Sequence, residues 1–209
     1  MSSLSGEETL SKYERLMGAE LGKSFYAIFC DVTWLHKKWD DYKILYGSQE
    51  SVDVLNSTAA SGFFGRQQRV LRDDIVLHIA RLADAEKSCG RETMSIRNLI
   101  AQIVVPEITP PLHTHLKEFL DRAKFARNRR NLVYAHPDKD VATGSANARS
   151  LEAASMKNIE QAVDSIVTLV NIISGHYNQS EIGFLKTRDA ALLLNILRKA
   201  AADRLRHQT

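Results

Sequence analysis

Apolar residues recur every three or four positions through most of the chain, which is the spacing of one buried face of an α-helix. The longest such segment spans residues 7–46, and we predict that this helix breaks near Gly18 and Gly22 and ends at Gly47-Ser48. Its apolar stripe consists of Phe25, Ile28, Val32, Leu35, Trp39 and Tyr42.

The same spacing predicts further helices along the chain. Ser95 is suited to cap one of them, and Thr109 precedes two prolines that fit the first turn of another. The predicted segments are a short helix or turn over 51–60 and helices over 63–85, 95–104, 109–135, 151–177 and 188–205. Polar loops are predicted over 88–91 and 138–147.

These elements indicate an all-α protein. No segment shows the alternation of a strand, and mostly short links favour an antiparallel bundle of five to six helices. The length of 209 residues suits one domain over 1–209, with a core over about 21–179 and a C-terminal helix over about 187–206. Trp34 and Trp39 are both predicted to lie in the core, and the apolar face over 190–197 is broad enough to serve a dimer.

Composition restricts the cellular compartment and the kinds of metal site that the protein can have. Cys30 and Cys89 are the only cysteines and form no CxxC pair, which favours a reducing compartment and no cysteine-based metal site. No apolar run approaches the roughly 20 residues of a membrane span, and the polar start does not resemble a secretory signal. We therefore predict a cytoplasmic protein with no membrane partner and no cofactor.

Charge is unevenly distributed although the net charge is only +3. Residues 113–139 contain seven Lys or Arg against three acids, and residues 186–209 contain six against two. Such local surpluses attract polyanions such as RNA.

The candidate chemistry lies in the first of these basic segments. Histidine can accept and donate a proton near neutral pH, and arginine offers a permanent positive fork that matches phosphate oxygens. Together they suffice to cut RNA without a metal, since the imidazole can take the proton of a ribose 2′-OH while the guanidinium stabilises charge on the phosphate. The residues concerned are Arg127, Asn128, Arg129, Arg130, Asn131 and His136.

Helical spacing leaves open which arginine would act with His136. Arg129 is seven positions away and would share its face if the helix continued. Arg130 is six positions away and would not, but Pro137 disfavours helical geometry at His136.

The order of motifs between residues 32 and 138 resembles the HEPN superfamily, and within it the abortive-infection U-type branch. The central match is Arg130-Asn131-x-x-x-Ala135-His136, which is similar to the Arg-Asn…His signature of HEPN domains. The other matching stretches are Trp34…Trp39-x-x-Tyr42, Val54-Leu55-Asn56, Ala60, Phe63-Phe64, Arg81-Leu82-Ala83-Asp84, Arg91 to Ile96, and Asp138.

The resemblance implies a HEPN-like helical bundle that dimerises around a composite site and cleaves RNA without metal in phage defence or as a toxin. It implies that Arg130 stabilises the phosphate, that His136 is the general base or acid, and that Asn131 orients the histidine or the scissile group. We assign RNA backbone contacts to Lys124, Arg127 and Arg129. The implied partners are RNA, a second copy of the chain, and an antitoxin or regulatory protein. Where paired toxins of this superfamily carry a tyrosine two residues after the histidine, this chain has Asp138, so modification there is not expected.

A non-catalytic HEPN module that binds nucleic acid or a protein partner is the alternative, with Arg130 and His136 structural. Other polar clusters are interpreted as structural: Arg81 and Asp84, three apart, as an ion pair, and His113-x-His115 as no zinc site because a third ligand is missing.

Overall fold

The computed structural model describes residues 5–135, 139–143, 145, 151–184 and 188–206, and in these ranges the chain forms ten α-helices, one π-helical turn and a two-stranded hairpin. The helices are α1 (Gly6–Met17), α2 (Ala19–Tyr46), α3 (Gln49–Asn56), α4 (Ser61–Leu82), α5 (Ile96–Ala101), α6 (Thr109–Arg122), α7 (Lys124–Arg129), α8 (Lys139–Thr143), α9 (Met156–Asn178) and α10 (Asp189–Arg206). The π-turn is Arg130–Ala135, and the hairpin pairs β1 (Lys87–Ser88) with β2 (Arg91–Glu92).

The all-α class predicted from the sequence is confirmed, with five helices of 14 residues or more and several shorter ones. Two predicted loops were wrong in part. Residues 88–91 belong to the hairpin, whose turn places Cys89 and Gly90 at positive φ, and residues 139–143 form α8. The remainder of the second predicted loop lies outside the described residues, except for Ser145.

The core is built from the predicted helical stripes. Each member of the α2 stripe from Phe25 to Tyr42 is buried, which confirms that prediction. The prediction for Trp34 was wrong, since its side chain is 59% exposed whereas Trp39 is 1% exposed. Trp34 is adjacent to the buried Leu35, and neighbouring positions on a helix point about 100° apart.

Contacts within the chain divide the described residues into two units. The first unit consists of the described residues in Met1–Trp34 and Val76–Gly183. The second unit consists of those in Leu35–Ile75 and Phe184–Thr209. In the first unit α6 packs on α9 and α5 packs on α6, with Leu112 and Phe119 of α6 fully buried. In the second unit α10 packs on α3. Among the described residues, no helix is both long and apolar enough to cross a membrane.

The two glycines near the start of the chain behave differently. Gly18, at φ 86°, separates α1 from α2, as predicted, whereas Gly22 continues α2 without a break. A Cβ at Gly22 would lie 2.6 Å from the backbone of Glu14, because α1 packs closely on this turn of α2. The chain here needs a residue without a side chain.

Gly22→Ala is therefore expected to destabilise the protein by about 1–3 kcal/mol, because the added methyl group forces α1 away from α2. Gly65→Ala in α4 is the matched control: no atom lies within 4 Å of its Cβ position, so the better helix propensity of alanine should stabilise by about 0.5–1 kcal/mol. Urea unfolding midpoints measure both. Equal shifts for the two variants would contradict the close packing of α1 on α2.

Candidate active site

The candidate site lies where regular helix gives way to a π-turn. The sequence predicted one helix over 109–135, but α6 ends at Arg122, α7 follows after Ala123, and the π-turn begins at Arg130. Ala123, Phe125 and Ala126 are buried and anchor this junction to the core. π-Helical turns are rare and occur frequently at functional sites. The turn therefore marks the Arg130-Asn131 motif structurally as well as by sequence.

The guanidinium of Arg130 is held by two acceptors. Its Nη1 donates to Oδ1 of Asp84, and its Nε donates to Oδ1 of Asn131 at 3.1 Å. The Arg130 and Asp84 side chains are each 28% exposed, so the ion pair is partly shielded from water. Since a guanidinium has five N–H donors, three remain without an acceptor among the described residues. The group is fixed in position and can still bind an anion.

Asp84 does not form the predicted ion pair with Arg81. Nη2 of Arg81 instead binds Oδ2 of Asp31 at 3.1 Å, and Nε2 of the buried His78 lies 3.7 Å from the same oxygen. The i,i+3 geometry that the prediction assumed is lost because α4 ends at Leu82, before Asp84. Asp84 is thereby available to Arg130, 46 residues further along the chain.

His136, together with Pro137 and Asp138, lies outside the described residues. Its proposed role as general base or acid stays a prediction that rests on the sequence. The role predicted for Asn131, to orient the histidine or the scissile group, also stays a prediction. Its side-chain oxygen accepts a hydrogen bond from Nε of Arg130.

The residues predicted to bind nucleic acid point in different directions. Lys124 is exposed and Arg127 half-buried, and both line a cavity of about 540 Å³ together with Asn131. Arg129 does not line that cavity; its Nε donates to the backbone carbonyl of Glu152 at 3.2 Å. The structure thus brings Lys124, Arg127 and Asn131 together and places Arg129 apart from them.

Sequence reasoning missed several residues around this site. Asp84 was assigned to another partner, and Arg97, His113 and Lys117, which also line the cavity, received no role in nucleic-acid binding. The signal for the last two was present, because positions 113, 117, 124, 127 and 131 follow helical spacing. His115, which with His113 is interpreted from the sequence as no zinc site, has Nδ1 3.1 Å from Oε2 of Glu118. Within the described residues no group of three His, Cys, Asp or Glu side chains is placed to hold a metal.

Comparison with known protein families identifies a family that matches the chain. A family described as HEPN_AbiU2: AbiU2 matches residues 18–203, which is most of the chain. No curated protein and no solved structure matches.

Proposed function

The chain belongs to the HEPN_AbiU2 family, an abortive-infection family of HEPN type, and from this membership and the site geometry we propose that it is a metal-independent endoribonuclease. The observation that carries the proposal is the guanidinium of Arg130. It is fixed by Asp84 and Asn131 at the start of the π-turn that leads to His136 in sequence, and it keeps donors for a phosphate.

In the proposed reaction, His136 removes the proton from a ribose 2′-OH, and the resulting oxygen attacks the adjacent phosphorus. The bond from phosphorus to the 5′-oxygen of the next nucleotide breaks and that oxygen takes a proton from water, which leaves a 2′,3′-cyclic phosphate and a 5′-hydroxyl. Arg130 donates to the non-bridging oxygens as negative charge develops on them. Asn131 and Asp84 act as positioning residues, since they hold that guanidinium in one orientation.

We include in the proposal that two copies of the chain assemble and that both contribute to a composite site, with RNA as substrate. Support for assembly comes from the apolar face predicted over 190–197. On α10 the side chains of Leu192, Leu193 and Ile196 are 57%, 38% and 64% exposed. Exposed aliphatic residues grouped on one helix are typical of a protein–protein contact. An antitoxin or regulatory protein is a further proposed partner.

A second candidate function is a non-catalytic HEPN module that binds nucleic acid or a protein partner. The ion pair of Arg130 with Asp84 favours it, because a guanidinium already neutralised by a carboxylate can serve structure alone. The two functions differ in what the pair does. In the enzyme it positions a reacting group, and in the module it only joins the end of α4 to the π-turn.

The variant Asp84→Asn distinguishes the enzyme from the binding module. The amide keeps the size and one acceptor but removes the charge, so the guanidinium is held less firmly in its orientation. We expect RNA cutting in EDTA to slow about 10- to 100-fold at saturating RNA, with a much smaller change in KM. Initial rates over a range of RNA concentrations, set beside urea midpoints, measure this.

Glu50→Gln is the matched control, since Glu50 also binds an arginine, Arg198, at 2.9 Å but at an exposed surface pair. It should cut RNA at the wild-type rate. Wild-type rates in Asp84→Asn, with a lowered urea midpoint, would assign the pair a structural role and favour the binding module.

A further inference from the structure

The cavity beside the π-turn is one continuous groove along consecutive helical segments. Its lining consists of Arg97 on α5 and nine residues between His113 and Asn131, which belong to α6, α7 and the π-turn. From His113 to Asn131 its lining residues recur at three- and four-residue intervals, so a single face of the chain borders it for about five turns. We call this cavity the basic groove, and all of its lining residues belong to one compact unit.

Positive charge exceeds negative charge among the residues that line the basic groove. Four cationic side chains line it against the single carboxylate of Asp121, and among the described residues none of the four forms an ion pair. By contrast, Arg198 on α10 is paired with Glu50. Uncompensated charge in a concave surface produces a positive potential that attracts anions. The four side chains are Arg97, Lys117, Lys124 and Arg127.

Two of these cations have a buried atom without a partner in the part of the chain that the structure describes. The Nε atoms of Arg97 and Arg127 are inaccessible to solvent and have no hydrogen-bond acceptor among the described residues. An unsatisfied buried donor costs free energy and is uncommon in native proteins, and a bound water or ion is one partner that can satisfy it. A phosphate oxygen is a suitable acceptor for a guanidinium, which binds it through charge-assisted hydrogen bonds.

The remaining lining residues favour a single strand over a duplex. Leu116 and Leu120 are half-buried and present aliphatic surface to the groove, while Asn128 and Asn131 present amides. A duplex keeps its bases stacked inside and would place mainly phosphates and sugar edges against this surface. Single-stranded RNA can turn its bases outward, so that their faces contact aliphatic groups and their edges hydrogen-bond to amides.

The groove is also continuous with the candidate active site, because Asn131 lines it and accepts the hydrogen bond from Nε of Arg130. We propose that the basic groove binds the phosphate backbone of a single-stranded RNA segment next to the scissile phosphate. This inference rests on the proposed ribonuclease function and names its substrate class. Arg97 and Arg127 bind phosphate oxygens, Lys117 and Lys124 add exposed positive charge, and the bound strand leads to Arg130.

Binding of a fluorescent 2′-O-methyl RNA of twelve nucleotides, followed by anisotropy over a range of salt concentrations, tests the proposal. This strand lacks the attacking hydroxyl, so binding is measured whether or not the protein cuts RNA. Arg97→Ala, Arg127→Ala, Lys117→Ala and Lys124→Ala should each weaken binding about tenfold at low salt. Each should also lower the slope of log affinity against log salt by about 0.7.

The two lysine variants keep the test valid if an arginine variant folds poorly, because both lysine side chains are exposed. Arg66→Ala, an exposed arginine on α4 outside the basic groove, is the matched control and should bind as wild type. A duplex of the same sequence and free ATP should both bind at least tenfold more weakly than the single strand.

Wild-type affinity in all four groove variants would overturn the inference, as would equal affinity for the duplex or for ATP. If His136→Ala still abolished cutting in that case, the proposed function would stand and only the groove would be refuted. Groove variants that lose binding while no form of the protein cuts RNA would support the groove and refute the ribonuclease.

Discussion

Replacing His136 or Arg130 with alanine is expected to lower the rate of RNA cutting in EDTA by at least about 100-fold. A positioned general base contributes about 10²- to 10⁴-fold, and one donor to a developing oxyanion contributes about 10²- to 10³-fold. Arg130 is the better defined of the two, because its guanidinium is held by Asp84 and Asn131. Gel analysis of a defined single-stranded RNA gives the rates.

Since the proposed mechanism has both groups act on one transition state, their effects should not add. The double variant is expected to be no more than a few fold slower than the worse single variant. Additive losses would indicate that the two residues act in separate steps or at separate places.

Two matched controls distinguish loss of chemistry from loss of charge or of histidine in general. His176 is an exposed histidine on α9, and Arg198 is an arginine that binds a carboxylate on another surface. His176→Ala and Arg198→Ala should keep wild-type rates. Cutting that survives in both His136→Ala and Arg130→Ala would refute the proposed mechanism, and a wild-type protein without activity would favour the binding module.

Phe119→Ala is expected to reduce the free energy of unfolding by about 3–5 kcal/mol, the range for truncating a fully buried phenylalanine. Its ring has no exposed surface and lies on α6, the helix that packs on α9. Two contributions add up in this loss. The variant forfeits the free energy gained when the ring leaves water, and it leaves a cavity between well-packed helices. Because single domains are stable by only about 5–15 kcal/mol, this is a large fraction of the total.

Urea unfolding followed by circular dichroism measures the change. Phe63→Ala is the control, since that ring is 49% exposed, and it should change the free energy of unfolding by less than about 1 kcal/mol. An unchanged urea midpoint for Phe119→Ala would mean that α6 does not depend on this contact. A destabilised α6 is also expected to weaken RNA binding in the basic groove, because Lys117 and Asp121 of its lining are on the same helix.

The helices could be predicted well because helix formation depends on residues only three or four positions apart. The stripe from Phe25 to Tyr42 is buried as its spacing indicated, and Ser95 caps α5 by accepting a hydrogen bond from the backbone of Asn98. Both features depend on residues within a few positions of each other. The motif Arg130-Asn131 with His136 is equally local, and family membership agrees with the resemblance it carried.

The predictions were wrong where one apolar pattern covers more than one helix, and where the residue type suggested burial at an exposed position. Trp34 was assigned to the core because it is aromatic, yet its position on α2 is off the buried stripe. The break after Arg122 and the π-turn at Arg130 could not be predicted from the apolar pattern, which continues through Ala123 and Ala126.

By itself the sequence determined the all-helical class, the buried faces of the long helices and the segment that carries the candidate chemistry, because each is set by residues close together in the chain. Tertiary structure alone decided that Asp84 binds Arg130 and not Arg81, and that Arg97 joins Lys117, Lys124 and Arg127 around one groove. The reason is distance along the chain, because these residues come into contact only when segments tens of residues apart pack together. The periodicity of apolar residues does not predict which segments will do so.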